Sequence, residues 1–322
     1  MVYVNVPEKN RLSSFYLAME EYIARQILIA DDYFFIWQVP PTVMFGRNQL
    51  INNEVNIPYC QANNIHMLRR KSGGGCIYVD EGHLLFSYIT QDKNVDFVFN
   101  KYIDRIVTML NKLDIDAKKG GRNDILIDNR KISGNAFYHV PARNIVHGTM
   151  IYDTNMQNMV ASITPSEIKL TSKGVESVRQ HIAMLKDYTT VTLEEFKIFA
   201  KNNLCSAEIM LTADDVKGIE EIEQDYLADH FIYGNNPRCS IIRKRHIESV
   251  SEIEVHIELK NNQIKDINIM GDFFLIGDIN RILKSLRNVH YTTEAVTAAL
   301  PEYIDNIIRN LKKQQLVELI ME

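Results

Sequence analysis

Cysteine is scarce in this 322-residue chain: Cys60, Cys76, Cys205 and Cys239 are all there is, and no two stand in a C-x-x-C pair. That spacing excludes the usual zinc and dithiol redox motifs and leaves reduced, mostly buried thiols as the expectation. No run approaches the roughly 20 apolar residues that a membrane span needs. The first residues, MVYVNVPEKNR, lack the basic start and apolar core of a signal peptide, so a cytoplasmic location with no membrane partner is expected. A basic surplus is missing too. The net charge is −5, which argues against a nucleic-acid partner. Glycine and proline are few, at 14 and 8, with no repeat and no low-complexity tract.

The chain does have 46% hydrophobic and 24% charged residues, enough for one large core and a smaller module. Residues 12–29 carry apolar side chains at helical spacing, with Ser13 or Ser14 as candidate caps. Strands are predicted at 33–39, 42–46, 65–70, 76–80 and 84–90. A helix is predicted at about 99–113, with Ile103, Val107, Leu110 and Leu113 on one face. Residues 124–153 read as two or three strands, with a tight turn at Asp128-Asn129. Residues 181–231 are helix-rich and acidic, and 230–240 is turn-rich and reads as a linker. Residues 251–274 alternate like a hairpin turning at Asn261-Asn262, and helical segments fill 277–288, 292–299 and 301–321. The pattern implies an α+β fold: a large domain over 1–240 with a central sheet flanked by helices, then a small α/β accessory domain over 241–322.

Chemistry concentrates in four segments. The first is Arg69-Arg70-Lys71-Ser72-Gly73-Gly74-Gly75-Cys76. Three consecutive glycines between two strands lose much backbone entropy on folding. A ligand that approaches the backbone closely, with N–H groups turned to anionic oxygens, gives them a purpose, and the three cations just before them are candidates to hold a carboxylate or phosphate. The second runs from Gly121-Arg122-Asn123-Asp124 to Arg130-Lys131-Ile132-Ser133-Gly134-Asn135-Ala136. Lys131, set among apolar neighbours, is a candidate to point into a pocket. Asp124 is a candidate magnesium ligand, since magnesium takes one or two carboxylates plus phosphate oxygens. The third is His147-Gly148-Thr149 and the fourth Ser172-Lys173-Gly174. Each alone fits an ordinary polar loop or strand start.

Taken together and in order, PPTVMFGRNQ (40–49), RRKSGGG (69–75), GRNDILIDNRKISGNA (121–136), HGTMIYD (147–153) and SKGVESVR (172–179) resemble the lipoate–protein ligase family. FYLAMEE (15–21) is similar to the family's opening helix, and YGNNP (233–237) to its closing turn. The resemblance implies a fold shared with biotin ligases. It also implies an ATP-dependent enzyme that makes lipoyl-AMP and passes the lipoyl group to a carrier lysine. ATP, Mg2+ and lipoate are the implied ligands. The implied partner is a lipoyl domain of a 2-oxo-acid dehydrogenase or a glycine-cleavage H protein. The resemblance places Lys131 at the acyl carbonyl and phosphate, and Arg70 with Gly73, Gly74, Gly75 and the neighbouring Ser72 and Cys76 around the acyl-phosphate. It gives Asn123 and Asp124 to the phosphate and its magnesium, and sets Ser133, Gly134 and Ala136 beside them. His147, Gly148 and Thr149 would line the pocket, Arg47 would support it, and Ser172, Lys173 and Gly174 would close over the adenylate. His83 stands where the family commonly has an amide holding the nucleotide. Alternatives are a Cys-dependent octanoyl or lipoyl transferase using Cys76, a biotin ligase, and a non-catalytic binder of the lipoyl-adenylate. The basic run at 243–246 is a candidate contact for an acidic carrier.

Overall fold

The computed structural model describes residues 1–7, 10–27, 29, 32–92, 94–121, 123–141, 143–163, 180–234 and 241–322. Its strands are β1 (Val2–Asn5), β2 (Asp32–Trp37), β3 (Thr42–Phe45), β4 (His66–Arg69), β5 (Cys76–Val79), β6 (His83–Thr90), β7 (Lys118–Gly120), β8 (Asp124–Ile127), β9 (Arg130–Val140), β10 (Arg143–Ile151), β11 (Ala207–Met210), β12 (Ile241–Ile247), β13 (Ser251–Lys260) and β14 (Gln263–Gly271). Eight of them form one sheet in the order β11-β1-β2-β6-β10-β9-β8-β7. It is mixed: β1 runs parallel to β2 and to β11, and the other pairs are antiparallel. A smaller sheet, β4-β3-β5, lies beside it, and β12-β13-β14 forms a third.

The centre of the large sheet shows why the sequence folds this way. Every residue of β6 is buried, so both faces must be covered. Alternate side chains do so in turn. Leu84, Phe86 and Tyr88 pack with Phe99, Tyr102, Ile103 and Ile106 of the helix Val95–Asn111. Leu85 and Ile89 pack with Phe15, Met19 and Ile23 of the helix Ser13–Gln26. A strand with one helix on each face and apolar residues at both parities is what the run LLFSYIT requires.

Turn chemistry came through. Asp128 and Asn129 take φ of 50° and 61°, and Asn261 and Asn262 take 53° and 56°, the left-handed pairs that close two-residue hairpins. The first helix departs from expectation. Its N-cap is Leu12, with no side-chain cap bond. Ser14 Oγ instead donates to Glu223 Oε1 at 2.5 Å, because the helix packs against Ala213–Leu227, which brings that carboxylate within reach of the hydroxyl. Strands β1, β7, β11 and β12 are not among the predicted ones. Of the turn-rich stretch 230–240, Asp229–Ile232 is a short helix and 235–240 lie outside the described residues. The basic run sits on β12, where Lys244 meets Glu252 at 3.1 Å and Arg245 meets Glu318 and Glu322 at 3.3 and 2.6 Å. Two of its cations therefore already have acidic neighbours. The last part of the chain has its own core, built from Ile253, Val255, Ile267 and Ile269 against Ile282, Val296, Leu316 and Ile320. Among the described residues, no helix is long and apolar enough to cross a membrane.

Candidate active site

The glycine-rich turn joins β4 to β5 and is held in part by backbone hydrogen bonds to β3 and the residues after it. Arg70 N donates to Phe45 O, Arg47 N to Ser72 O, and Gly46 N to Gly75 O, at 3.0, 2.9 and 3.2 Å. Gly74 takes φ +90°, a conformation only glycine enters freely. The three cations before the turn do not face a ligand as a cluster, which corrects their reading as a joint anion clamp. Arg69 donates to the carbonyls of Phe231, Arg47 and Gln49 at 2.7, 2.9 and 2.5 Å. Arg70 lines the cavity described below, but donates to Met44, Gly73 and Gly75 carbonyls at 2.9, 2.8 and 2.8 Å. Lys71 pairs with Glu21 at 2.7 Å. Desolvation depresses both guanidinium groups, Arg69 to about 10, with Asp272 and Glu54 partly opposing it at Arg70. These arginines build the turn: they take up carbonyls that would otherwise be unpaired beside a glycine backbone.

This turn, the helix Ser13–Gln26 and strands β2, β6, β9 and β10 enclose a cavity of about 280 Å³. One half is apolar, walled by Leu17, Trp37, Met44, Ile77 and Leu85. The other half is polar. Arg70, Gly74, Gly75 and Cys76 come to it from the small sheet; Asn123, Asp124, Lys131, Gly134 and Ala136 come from the β8–β9 hairpin; and His147, Gly148 and Thr149 come from β10. Lys131 Nζ lies 2.9 Å from Asp124 Oδ1, with both side chains partly exposed. That oxygen is itself out of solvent, and the contact is not aligned as a hydrogen bond. The pair therefore has acceptor capacity left over. Asn123 and Asn135 hold each other's backbone, Nδ2 to carbonyl at 2.7 and 2.8 Å, and this fixes the hairpin edge. Gly134 N donates to Thr149 Oγ1 at 3.2 Å, which ties β9 to β10 across the floor.

Between the two halves runs a chain of buried polar groups. Trp37 Nε1 donates to Ser87 Oγ at 2.9 Å, and Ser87 Oγ in turn donates to Glu20. His147 Nδ1 lies 2.8 Å from the other Glu20 oxygen, and His147 Nε2 lies 2.8 Å from Ser72 Oγ. Because tryptophan only donates, the direction of the first two bonds is fixed. A carboxylate only 2% exposed, as Glu20 is, is tolerable because these donors surround it. The chain links the first helix, β6, β10 and the glycine turn into one rigid wall.

Not every predicted residue reaches this cavity. Ser72 sits behind it as the last link of that chain, and Ser133 is buried beneath Asn135, 3.4 Å from its Oδ1. Gly73 is pressed against the accessory segment, where an added Cβ would lie 2.4 Å from Phe273 O. Arg47 and Gly73 line a separate cleft of about 210 Å³. His83 corrects its expectation as a nucleotide contact. It is buried, its Nδ1 is 3.1 Å from Asp80 Oδ1, and it locks the β5–β6 turn. Its Asp80 partner sits three residues back in that turn, so the ring is drawn there and away from the cavity. Ser172, Lys173 and Gly174 lie outside the described residues. Cys76 faces the cavity, but burial pushes its thiol up, well above the ordinary range, the reverse of what a nucleophilic cysteine needs.

Sequence reading missed the five apolar wall residues, Glu20, Asn135 and Asp272. A signal existed for Glu20: two adjacent carboxylates inside an otherwise apolar helix ask for buried partners. None existed for Asp272, which enters the cavity from the accessory segment.

Near it, burial, with Asp272 and Glu252 adding to it, raises Glu54 to about 7. A carboxyl raised in the folded state favours folding while it is neutral. The contribution is complete below the unfolded value near 4.5 and is lost as pH rises through about 7. Glu54→Gln should therefore raise the melting temperature at pH 8 and converge on the parent toward pH 4.5. Parallel melting curves at both pH values would contradict this.

Among known proteins, residues 13–204 match the family model for the lipoyl protein ligase A/B catalytic domain, and 236–320 that for the bacterial lipoate protein ligase C-terminus. The chain is 32% identical over 316 residues to the lipoate-protein ligase LplJ of Bacillus subtilis, spanning 94% of this chain and 95% of that one. Its fold is similar to that of P. falciparum LipL1, solved in complex with lipoate: TM-score 0.77 at 19% identity, over 99% and 98% of the two chains. It is also similar to a lipoate-protein ligase A solved with ATP: TM-score 0.63 at 23% identity, over 72% and 98%.

Proposed function

Because the chain belongs to the lipoate–protein ligase family, we propose that it activates lipoate with ATP as lipoyl-AMP in this cavity and transfers the lipoyl group to a lysine of a carrier protein. The catalytic part is assigned to residues 1–240 and the accessory part to 241–322. One observation carries the site assignment. A single cavity joins an apolar half to a polar half where the Lys131 ammonium and the Gly74-Gly75 backbone share the lining. That is the shape and polarity of an acid with a greasy tail activated at its carboxylate end.

In the first half-reaction a lipoate carboxylate oxygen attacks the α-phosphorus of ATP. The phosphorus–oxygen bond to the β-phosphate breaks and pyrophosphate leaves. Negative charge grows on α-phosphate oxygens, and Lys131, held by Asp124, is the preorganised cation for it. In the second, the carrier's ε-amine nitrogen attacks the acyl carbonyl. The carbon–oxygen bond to AMP breaks, AMP leaves, and the proton lost by the amine passes to solvent. The same ammonium then faces the tetrahedral oxyanion. Asn123 lies beside the phosphate position. The apolar walls hold the tail and keep water from the mixed anhydride. No protein nucleophile is required, so a protonated Cys76 is compatible.

Magnesium would be held by Asp124. Its buried Oδ1, lacking a hydrogen bond, fits a cation otherwise ligated by phosphate oxygens and water. Among the described residues there is no cluster of three His, Cys, Asp or Glu that would form an all-protein metal site. Bound there, the ion would neutralise phosphate charge. The carrier is proposed to be a lipoyl domain or a glycine-cleavage H protein.

The test is intact-mass spectrometry of both carriers after incubation with the protein, lipoate, magnesium and ATP. One carrier should gain a single lipoyl group, and only when ATP is present. A gain without ATP would point to the transferase reading. No gain, with no pyrophosphate released, would leave a binder.

A further inference from the structure

The polar half of the cavity has no surplus of positive charge. Its charged lining side chains are Arg70 and Lys131 on one side and Asp124 and Asp272 on the other. Arg70 already serves three carbonyls and Lys131 faces Asp124. A triphosphate entering here meets a balanced site, which is poor preparation for a polyanion.

The segment that brings Asp272 also covers the glycine turn. Gly271 N donates to Asn48 O at 3.1 Å, and Asp272 N to Glu252 O at 3.0 Å. Gly271 takes φ +137°, and a Cβ there would lie 2.2 Å from Glu252 O, so the chain pivots tightly. The Phe273 carbonyl then lands on the turn, accepting from Gly74 N at 3.4 Å. The Asp272 carboxylate stands within 3.8 Å of the Cβ position of Gly75. A carbonyl oxygen on a glycine amide and a carboxylate over the next glycine imitate what a phosphate would present to the same backbone.

We propose that the turn Gly271–Phe273 occupies the phosphate subsite of this chain, so that ATP binds only by displacing it, and that Asp272 is the residue whose charge sets the affinity for ATP. The inference rests on the ligase reading of the cavity. Physically it is a competition: the apparent affinity is the intrinsic one reduced by the fraction of molecules with the subsite open. Repulsion between Asp272 and the incoming phosphates adds to that handicap until the turn has moved away. The turn is continuous with the accessory core through the buried Phe273, so that core moves with it.

The experiment is calorimetric titration of the full chain with a non-hydrolysable ATP analogue and magnesium, for wild type, Asp272→Asn and Asp272→Glu. Asp272→Asn should bind about tenfold more tightly, the effect of removing one like charge a few ångströms from an anion. Asp272→Glu, which keeps the charge, should not gain affinity. Hydrogen exchange on the wild type supplies a second readout: with the analogue bound, amides of 271–276 should exchange faster and that of Gly74 more slowly. Equal or weaker binding by Asp272→Asn, or unchanged protection of 271–276 in a wild type that binds the analogue, overturns the competition and leaves the ligase reading standing. A wild type that binds no analogue at all removes the ligase reading, and this inference with it.

Discussion

Replacing Lys131 by methionine should cut lipoyl-AMP formation by about 10²–10³-fold, read as pyrophosphate released from ATP and lipoate, the loss typical of removing one preorganised donor from a developing oxyanion. The fold should be nearly untouched. The Lys131–Asp124 pair spans 2.9 Å but is partly solvated on both sides, and such pairs contribute at most about 1 kcal/mol. Methionine keeps most of the stem's packing. Arginine is a poor substitute, because its planar fork reaches different oxygens than a compact ammonium does. A companion change separates position from presence. A Cβ at Gly134 would lie 2.7 and 2.8 Å from Lys131 Cε and Nζ. Those atoms end a flexible chain and can swing aside. Gly134→Ala should therefore lower the rate while leaving the melting temperature close to the parent. If the methionine variant keeps more than about a tenth of wild-type activity, Lys131 is not the cation that the reaction uses.

The second large effect is expected at Gly46. A Cβ there would stand 2.0 Å from Gly74 O and 3.0 Å from its carbonyl carbon. Nothing at that contact is a movable side-chain end. Gly46 N also holds Gly75 O, so the two backbones are locked edge to edge. Gly46→Ala must push the glycine turn away from β3. Overpacking of this kind destabilises by about 1–3 kcal/mol. Adenylation should fall by about 10²-fold or more, because a misplacement near 1 Å is enough to lose that much. Unfolding by denaturant and pyrophosphate release, measured on the same preparation, check both parts. Normal activity in a fully folded Gly46→Ala protein would mean that the turn is free to shift and does not hold the phosphate.

Much of this is legible in the sequence itself. The paired Asp128-Asn129 and Asn261-Asn262 turns read correctly because a left-handed pair of residues is a local demand that only a few side chains meet. The hydrophobic segments of β2 to β6 and β8 to β10 were visible as runs, and the glycine turn stood out as a backbone without side chains. Strand β1 was not visible: four residues carry too little pattern, and it is stabilised by pairing with Tyr33-Phe34 and with β11, about two hundred positions away. The basic run 69–71 misled for a related reason. Charge invites an anionic ligand, but Arg69 and Arg70 are drawn to carbonyls such as those of Phe231 and Met44, which only the folded chain brings beside them. His83 went the same way, into the turn of Asp80.

What the sequence alone determined is the family and its chemistry: the order of five motifs, the glycine turn, and Lys131 on a hairpin with Asp124. These are properties of short stretches, where local backbone demands and residue type suffice. What the tertiary structure decided is which groups meet. The apolar wall of the cavity is drawn from the first helix, β2, β3, β5 and β6. Glu20 is joined to His147 across the sheet, and Asp272 arrives over the glycine turn from the far end of the chain. Such meetings depend on long-range packing and on the competition among acceptors for a few buried donors, and no spacing along the chain encodes them.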